Sequence, residues 1–200
     1  MGSRRPTNPR VTNRSGTERK PSARVRIMYS MPVRRTAKHP PASRLAAMTR
    51  RLLDQSKLCA IATVSPGARA HVNTAYFAWG PAFEIVWLSA PEAQHSRNIR
   101  ANPSAAVAVY RSTQTWGGSD HGIQLFGTAR ELRGRAARIA EQLYAARFRA
   151  YQAIDAYRFY RLRPRRIKVF DEHALGGATF VTVAVGAGGR LRWVRTESYV

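Results

Sequence analysis

Apolar and polar positions change period several times along this chain, and each change marks an element. Over residues 43–57, Leu45, Met48, Leu52 and Leu53 recur at helical spacing. Arg44, Arg50, Arg51 and Asp54 take the other face, and Ser43 offers an N-cap. The period then shortens to two. Residues 58–64 read as a buried strand closed by a turn at Ser65, Pro66 and Gly67. Residues 70–79 form a second strand, with Val72, Thr74, Tyr76 and Ala78 on one face and His71, Asn73, Ala75 and Phe77 on the other. Gly80 and Pro81 turn the chain into a third run at 83–88. Three strands joined by tight turns predict an antiparallel meander rather than parallel crossovers.

Ser89 stands where that run stops and a short polar helix begins, with Pro91 and Glu92 suited to its first turn. Residues 105–110 make a fourth strand. A loop rich in Gly, Ser and Thr follows, with Trp116 exposed in it. Residues 123–132 make a fifth strand, in which Gly127 marks a bulge or a close backbone approach. Residues 134–157 read as one long helix bearing Ile139, Leu143, Ala146, Phe148 and Ile154. Residues 159–162 and 166–170 form a sixth strand, kinked or interrupted at Pro164. Residues 180–185 and 191–194 form a short hairpin around the glycine-rich turn 186–189. The expected class is mainly β with helices (α+β), a closed or nearly closed six-stranded antiparallel barrel. No internal repeat is present.

The segment from Ser89 to Pro103 carries the first chemical expectation. A helix N-terminus presents unpaired N–H groups and the positive end of the macrodipole, which suits a phosphate. Gln94, His95, Ser96 and Arg97 add side-chain donors there. A surface helix with its polar face in water explains the same residues equally well.

Charge changes the picture in one respect. The net charge is +23, and residues 1–41 hold eleven of the 34 basic and one of the eleven acidic side chains, or +10. The remaining residues still carry +13, so the body itself is cationic. Residues 1–41 are poor in apolar side chains and read as a disordered basic tail ahead of a domain at 42–200. An arm for nucleic acid and an organelle-type presequence are the functional readings of that tail. Disorder or an over-long start, with Met28, Met31 and Met48 as later starts, is favoured over both. A lone cysteine, Cys59, excludes an internal disulfide and fits a reducing cytoplasm. No apolar run approaches the length of a membrane span.

The order of these segments carries a resemblance. Val86 to Ser89, then His95, Ser96, Arg97, Asn98, Ile99, Asn102 and Pro103, then Gly127 to Ala129, then Tyr160 through Phe170 are similar to the pyridoxamine-phosphate-oxidase-like family of FMN-binding split β-barrels. The resemblance covers roughly residues 43–173. It implies a homodimer that binds FMN, or in some branches a deazaflavin coenzyme, at the subunit interface. It also implies cofactor-binding roles for named residues. Ser89 and His95 fall beside the flavin phosphate, and Gln94 falls where an Arg often stands. Asn73, Thr74 and Ala75 border the ring, Gln124 lies near a strand position that supplies a Gln, and Arg97 adds charge. His for Lys at position 95 and Gln for Arg at position 94 remove fixed positive charge. The family's substrate-holding C-terminal segment has no convincing match in residues 180–200, which puts the vitamin oxidase activity itself in doubt.

The remaining constellations carry less. Ser119, Asp120 and His121 are adjacent in sequence, which is not how a catalytic triad is built. The five histidines show no metal-ligand spacing. Arg163, Pro164, Arg165 and Arg166 form a short basic segment, read as a solvated turn or, less often, a contact for an anionic ligand or partner. Two function classes follow: a flavin-dependent oxidoreductase acting on a small molecule, and a basic barrel that binds single-stranded nucleic acid without redox activity. A family member that binds haem or a flavin without turnover is a third.

Overall fold

The computed structural model describes residues 33–199. The first part comprises β1 (Val33–Thr36), α1 (Ala42–Asp54), β2 (Leu58–Val64), β3 (Ala70–Trp79), β4 (Ile85–Ser89) and α2 (Gln94–Ala101). β5 (Ser104–Tyr110), β6 (His121–Glu131), α3 (Gly134–Arg147), β7 (Arg158–Asp171), α4 (Glu172–Leu175), β8 (Thr179–Val185) and β9 (Leu191–Tyr199) follow. Every strand pairing is antiparallel. β2, β3 and β4 form the expected meander, and a barrel of six strands closes in the order β7, β4, β3, β2, β5, β6 and back to β7.

Closure depends on β7. One of its edges pairs with β6 along the strand, from Tyr160 against Glu131 to Asp171 against His121. The other edge is divided. Residues 158–162 pair with β4, and residues 166–170 pair with β8. Pro164, which has no N–H to give, stands in the gap. Opposite it is Gly127, where an added Cβ would lie 2.0 Å from the Arg163 carbonyl oxygen. The register shifts here, leaving Arg165 as the extra residue of a bulge. The glycine thus marks the close approach that its place in a strand suggested.

The barrel fills because its strands alternate. Cys59, Ile61, Val107, Val109, Ile123, Leu125, Ile167 and Val169 face inward and are buried. The Trp87 and Tyr160 rings stack at 5.9 Å within the same core. α1 buries all four of its apolar stripe, Leu45, Met48, Leu52 and Leu53, against that core. Each such side chain contributes about 1.5–3 kcal/mol of transfer free energy. Arg51 on α1 pairs with the buried Asp171 at the end of β7, which also caps α4 through the Ala174 N–H. A second cluster forms where α3 lays Ala140 and Tyr144 over Ala78, Val86 and Phe159 on the outside of the barrel.

Several expectations need correction. α3 ends at Arg147, ten residues before the expected end of a helix over 134–157. Phe148 at its C-cap has φ −122° and ψ 89°, and the next ten residues run without helix. No Gly or Pro interrupts the stretch, so propensity gave no stop signal. The sixth strand is continuous through Pro164 because the bulge absorbs the proline. The C-terminal hairpin is longer than expected and joins the main sheet through β7. α1 begins at Ala42 behind Pro41, so Ser43 is inside the helix. Within the stretch read as a disordered tail, Val33–Thr36 pairs with β9 as an edge strand, and the Lys38 carbonyl accepts from Thr196 Oγ1 at 2.6 Å. Residues 1–32 lie outside the described residues. Among those described, no helix is long and apolar enough to cross a membrane.

Gly127→Ala is expected to lower stability by about 3 kcal/mol, the upper end for overpacking, because the clash is with backbone. A shift in the urea midpoint of that size checks it; an unchanged midpoint removes the glycine from the closure.

Candidate functional site

A cleft of about 680 Å³ opens between the middle of β3, the end of β4, the start of α2 and the segment that follows α3. Its volume lies in the range of small-molecule sites. Asn73, Thr74 and Ala75 line one wall, Ser89 and Ala90 the floor, and Ala93 and His95 one end. Tyr144, Phe148, Tyr151, Ile154 and Tyr157 form the opposite wall. The aromatic wall is a packed unit. Tyr144 lies 4.7 Å from Phe148 and 5.4 Å from Tyr151, and Tyr76 meets Phe148 edge-on at 5.7 Å. Burial, then the neighbouring Tyr151, pushes the Tyr144 phenol above its usual value. Burial and the hydrogen bond to Glu141 do the same for Tyr151, so both rings stay neutral at physiological pH.

Arg147 holds that wall in place. Its guanidinium donates to the Leu53 carbonyl at 2.8 Å and the Ser56 carbonyl at 2.7 Å, and stacks 4.8 Å from the Phe77 ring centroid. It thereby satisfies carbonyls at the C-terminal end of α1, where a cation is favoured. Burial lowers its pKa somewhat, and Asp54 opposes the shift. The chain leaves helical geometry one residue later, which turns Phe148 and Tyr151 toward the cleft.

α2 begins at Gln94, five residues after Ser89, and its N-cap is Ala93, whose side chain cannot cap. The expectation that Ser89, Pro91 and Glu92 open the helix is therefore corrected: they form the turn that leads into it. The first N–H groups of α2 have no side-chain acceptor among the described residues. Ser89 Oγ accepts from Ser96 Oγ at 3.2 Å and donates to the Ala90 carbonyl at 3.3 Å. His95 is only 8% exposed, and its Nε2 has no partner. Burial, and then His71 with its ring 6.5 Å away, lowers the His95 pKa, so the imidazole is neutral. Asn73 Oδ1 is also buried without a partner. An unpartnered ring nitrogen beside an uncapped helix start fits an anionic group.

The family model described as pyridoxamine 5'-phosphate oxidase matches residues 45–171, nearly two thirds of the chain. The chain belongs to the pyridoxamine 5'-phosphate oxidase family. No curated protein matches it. Among solved structures, a haem-binding protein from Mycobacterium smegmatis has a TM-score of 0.56 at 18% identity, over 79% of this chain and 59% of that one. A protein of unknown function from Agrobacterium tumefaciens gives 0.57 at 19%, over 66% and 60%. General Stress Protein 26 from Bacillus anthracis gives 0.51 at 13%, over 63% and 93%. The chain thus spans about three fifths of the first two proteins' length, and at these identities the likeness is one of fold.

Within this member of the pyridoxamine 5'-phosphate oxidase family, the expected site residues divide. Asn73, Thr74, Ala75, Ser89 and His95 meet at the cleft. Gln94 and Arg97 do not line it. Gln94 Nε2 donates to Asn98 Oδ1 at 2.8 Å, and Asn98 Nδ2 to the buried Thr63 Oγ1 at 3.0 Å. Arg97 donates to Gln94 Oε1 at 2.7 Å and the Glu92 carbonyl at 2.5 Å. Arg100 donates to the Pro91 carbonyl at 2.7 Å. These side chains staple the β4–α2 turn, so the charge expected to compensate for His95 is spent on carbonyls. Gln124 lies on β6 between Ala108 and Lys168, away from this cleft. Tyr144, Phe148, Tyr151 and Tyr157 were missed. Tyr144, Phe148 and Tyr151 have the spacing of a core stripe on one continuous helix, Tyr157 lies off that stripe, and only the break after Arg147 brings all four to the cleft.

His95 is expected to titrate below the ordinary imidazole value of about 6.5. Because its folded-state pKa is depressed, its contribution to stability is intact above pH ~6.5 and falls as pH drops toward the folded pKa. NMR titration and urea unfolding against pH check this. His95→Gln should remove that part of the pH dependence, and an unchanged profile would dissociate it from the residue.

Proposed function

We propose that this chain is a flavin-dependent oxidoreductase that holds FMN in the cleft between β3, β4 and α2 of a homodimer and acts on a small molecule. One observation carries the reading: the unpartnered His95 Nε2 beside the uncapped start of α2, at the end of a cleft whose far wall is aromatic. Such a site takes a phosphate at one end and a flat ring along the other. Family membership supports the same ligand class.

When bound, the flavin supplies hydride or electron transfer. The chain's own residues bind and orient it. The first N–H groups of α2 donate to the phosphate, and Ser89 Oγ does so once its hydrogen turns away from the Ala90 carbonyl. A phosphate dianion beside the ring would oppose the burial that keeps His95 neutral and favour its protonated form. Thr74 and Ala75 border the ring, and the tyrosine wall excludes water from its other face. A deazaflavin coenzyme, with the same ring shape, is the alternative occupant. The single buried thiol suits a cytoplasmic setting.

The dimer reading rests on the outer face of the barrel. Thr74, Ala60, Ala108 and Gln124 form one cross-strand row. Its two alanines leave a flat surface, and Leu58, Tyr76 and Tyr110 around it are 46–58% exposed. In this reading a second copy covers that face, and Gln124 serves the partner's cleft rather than its own. Ala108→Arg is then expected to give a monomer by sedimentation and to lose FMN, whereas a flavin-loaded monomer would break the link between dimer and site.

Haem is a second reading. A neutral imidazole with a free Nε2 is an iron ligand, and a haem-binding protein shares the fold. Incubation with FMN and, separately, with hemin distinguishes the two by flavin absorption or a Soret band. His95→Ala with Ser89→Ala is expected to lower FMN affinity at least about tenfold, the loss of one charged hydrogen bond, with the fold retained by circular dichroism. Uptake of neither ligand by the unaltered protein overturns both readings.

A further inference from the structure

The outer face of the barrel carries a second concave surface that shares no residue with the cleft. Two adjoining depressions of about 590 and 260 Å³ meet at Pro103 and Thr128. Arg165 and Arg166 line the larger, and Arg130 and Arg163 the smaller. We propose that this groove over β5, β6 and β7 binds a small organic molecule bearing clustered phosphate groups, with Arg130, Arg163, Arg165 and Arg166 as its ligands.

The sheet register brings these charges together. Arg130 stands directly opposite Arg161, and Arg163, opposite Thr128, lies on the same face as Arg161 one row along. Like charges directly opposite across a ladder are destabilising. Among the described residues, none of Arg130, Arg161, Arg163, Arg165 and Arg166 forms an ion pair. Arg161 Nε is buried without a partner. Burial first, then Arg163 and Arg130, lowers its pKa, and only Glu84 opposes them. Glu84 is itself held by the Ala82 N–H at 2.9 Å. A cluster kept at such a cost, around a concavity and beside the Thr128 hydroxyl, fits an anion from outside. Guanidinium forks match phosphate oxygens in pairs.

The bulge contributes directly. The residue it leaves over is Arg165, so Arg163, Arg165 and Arg166 leave the strand within four positions where a regular ladder would turn alternate residues inward. The shape favours a small ligand over a nucleic-acid strand. Single-strand binders expose aromatic rings for stacking, whereas the one ring here, Phe126, lies under Arg166 at 5.8 Å. The fully exposed Trp116 is in the β5–β6 loop and lines neither depression.

Calorimetric titration of the full chain with inorganic pyrophosphate and with ADP tests the proposal, with flavin content recorded separately. Both probes are expected to bind whether or not the cleft is loaded. Arg163→Ala with Arg165→Ala should weaken them about tenfold or more while flavin content and melting stay the same. If that double variant melts early, Arg130→Gln on the neighbouring strand gives the same reading. Arg138→Ala, an exposed charge on α3, should have no effect. Absence of binding, equal weakening by Arg138→Ala, or tight binding of a single-stranded oligonucleotide that neither probe displaces would overturn the assignment.

Discussion

A single strand holds this molecule closed. β7 uses its whole length against β6 and divides its other edge between β4 and β8. The barrel and its three-stranded extension therefore share one backbone. That arrangement needs a place where the strand can change partner without leaving hydrogen-bonding groups stranded. Pro164, the extra residue Arg165 and the bare Cα of Gly127 supply it together. The ion pair from Arg51 to Asp171 fastens α1 to the far end of the same strand.

The cleft lies at the other end of the barrel and is assembled differently. Its polar end is set by a chain of side-chain hydrogen bonds running from Thr63 inside the barrel through Asn98 and Gln94 to Arg97. Those residues fix where α2 starts and leave its first N–H groups and His95 free. The aromatic end is set by Arg147, which ties α3 to the end of α1. Positive charge is thus used for positioning here, and the groups left to meet a ligand are neutral donors.

Much of the fold is legible in the chain because alternation and turn residues agree. β2 and β3 fall at their expected limits, and Gly127 signals the bulge by having no side chain. The half of the cleft that is strand and turn, Asn73 to Ala75 with Ser89 and His95, is legible for the same reason. The other half is not. The stretch after Arg147 has helical spacing and no breaker, and it leaves the helix because long-range contacts to α1 and the barrel outweigh local propensity. Arg97 and Gln94 mislead in the opposite sense: residue type suggests ligand contacts, yet the nearest acceptors are carbonyls and amides of their own turn.

Cys59 lies inside the barrel wall, and burial pushes its thiol up to about 12. Only the thiolate reacts at a useful rate, so the folded protein shields its lone thiol both by access and by protonation. An alkylating reagent can then label this chain only in molecules whose wall has parted. The position is a native stopwatch for opening, one that needs no added probe and that anything seated against β3 would slow.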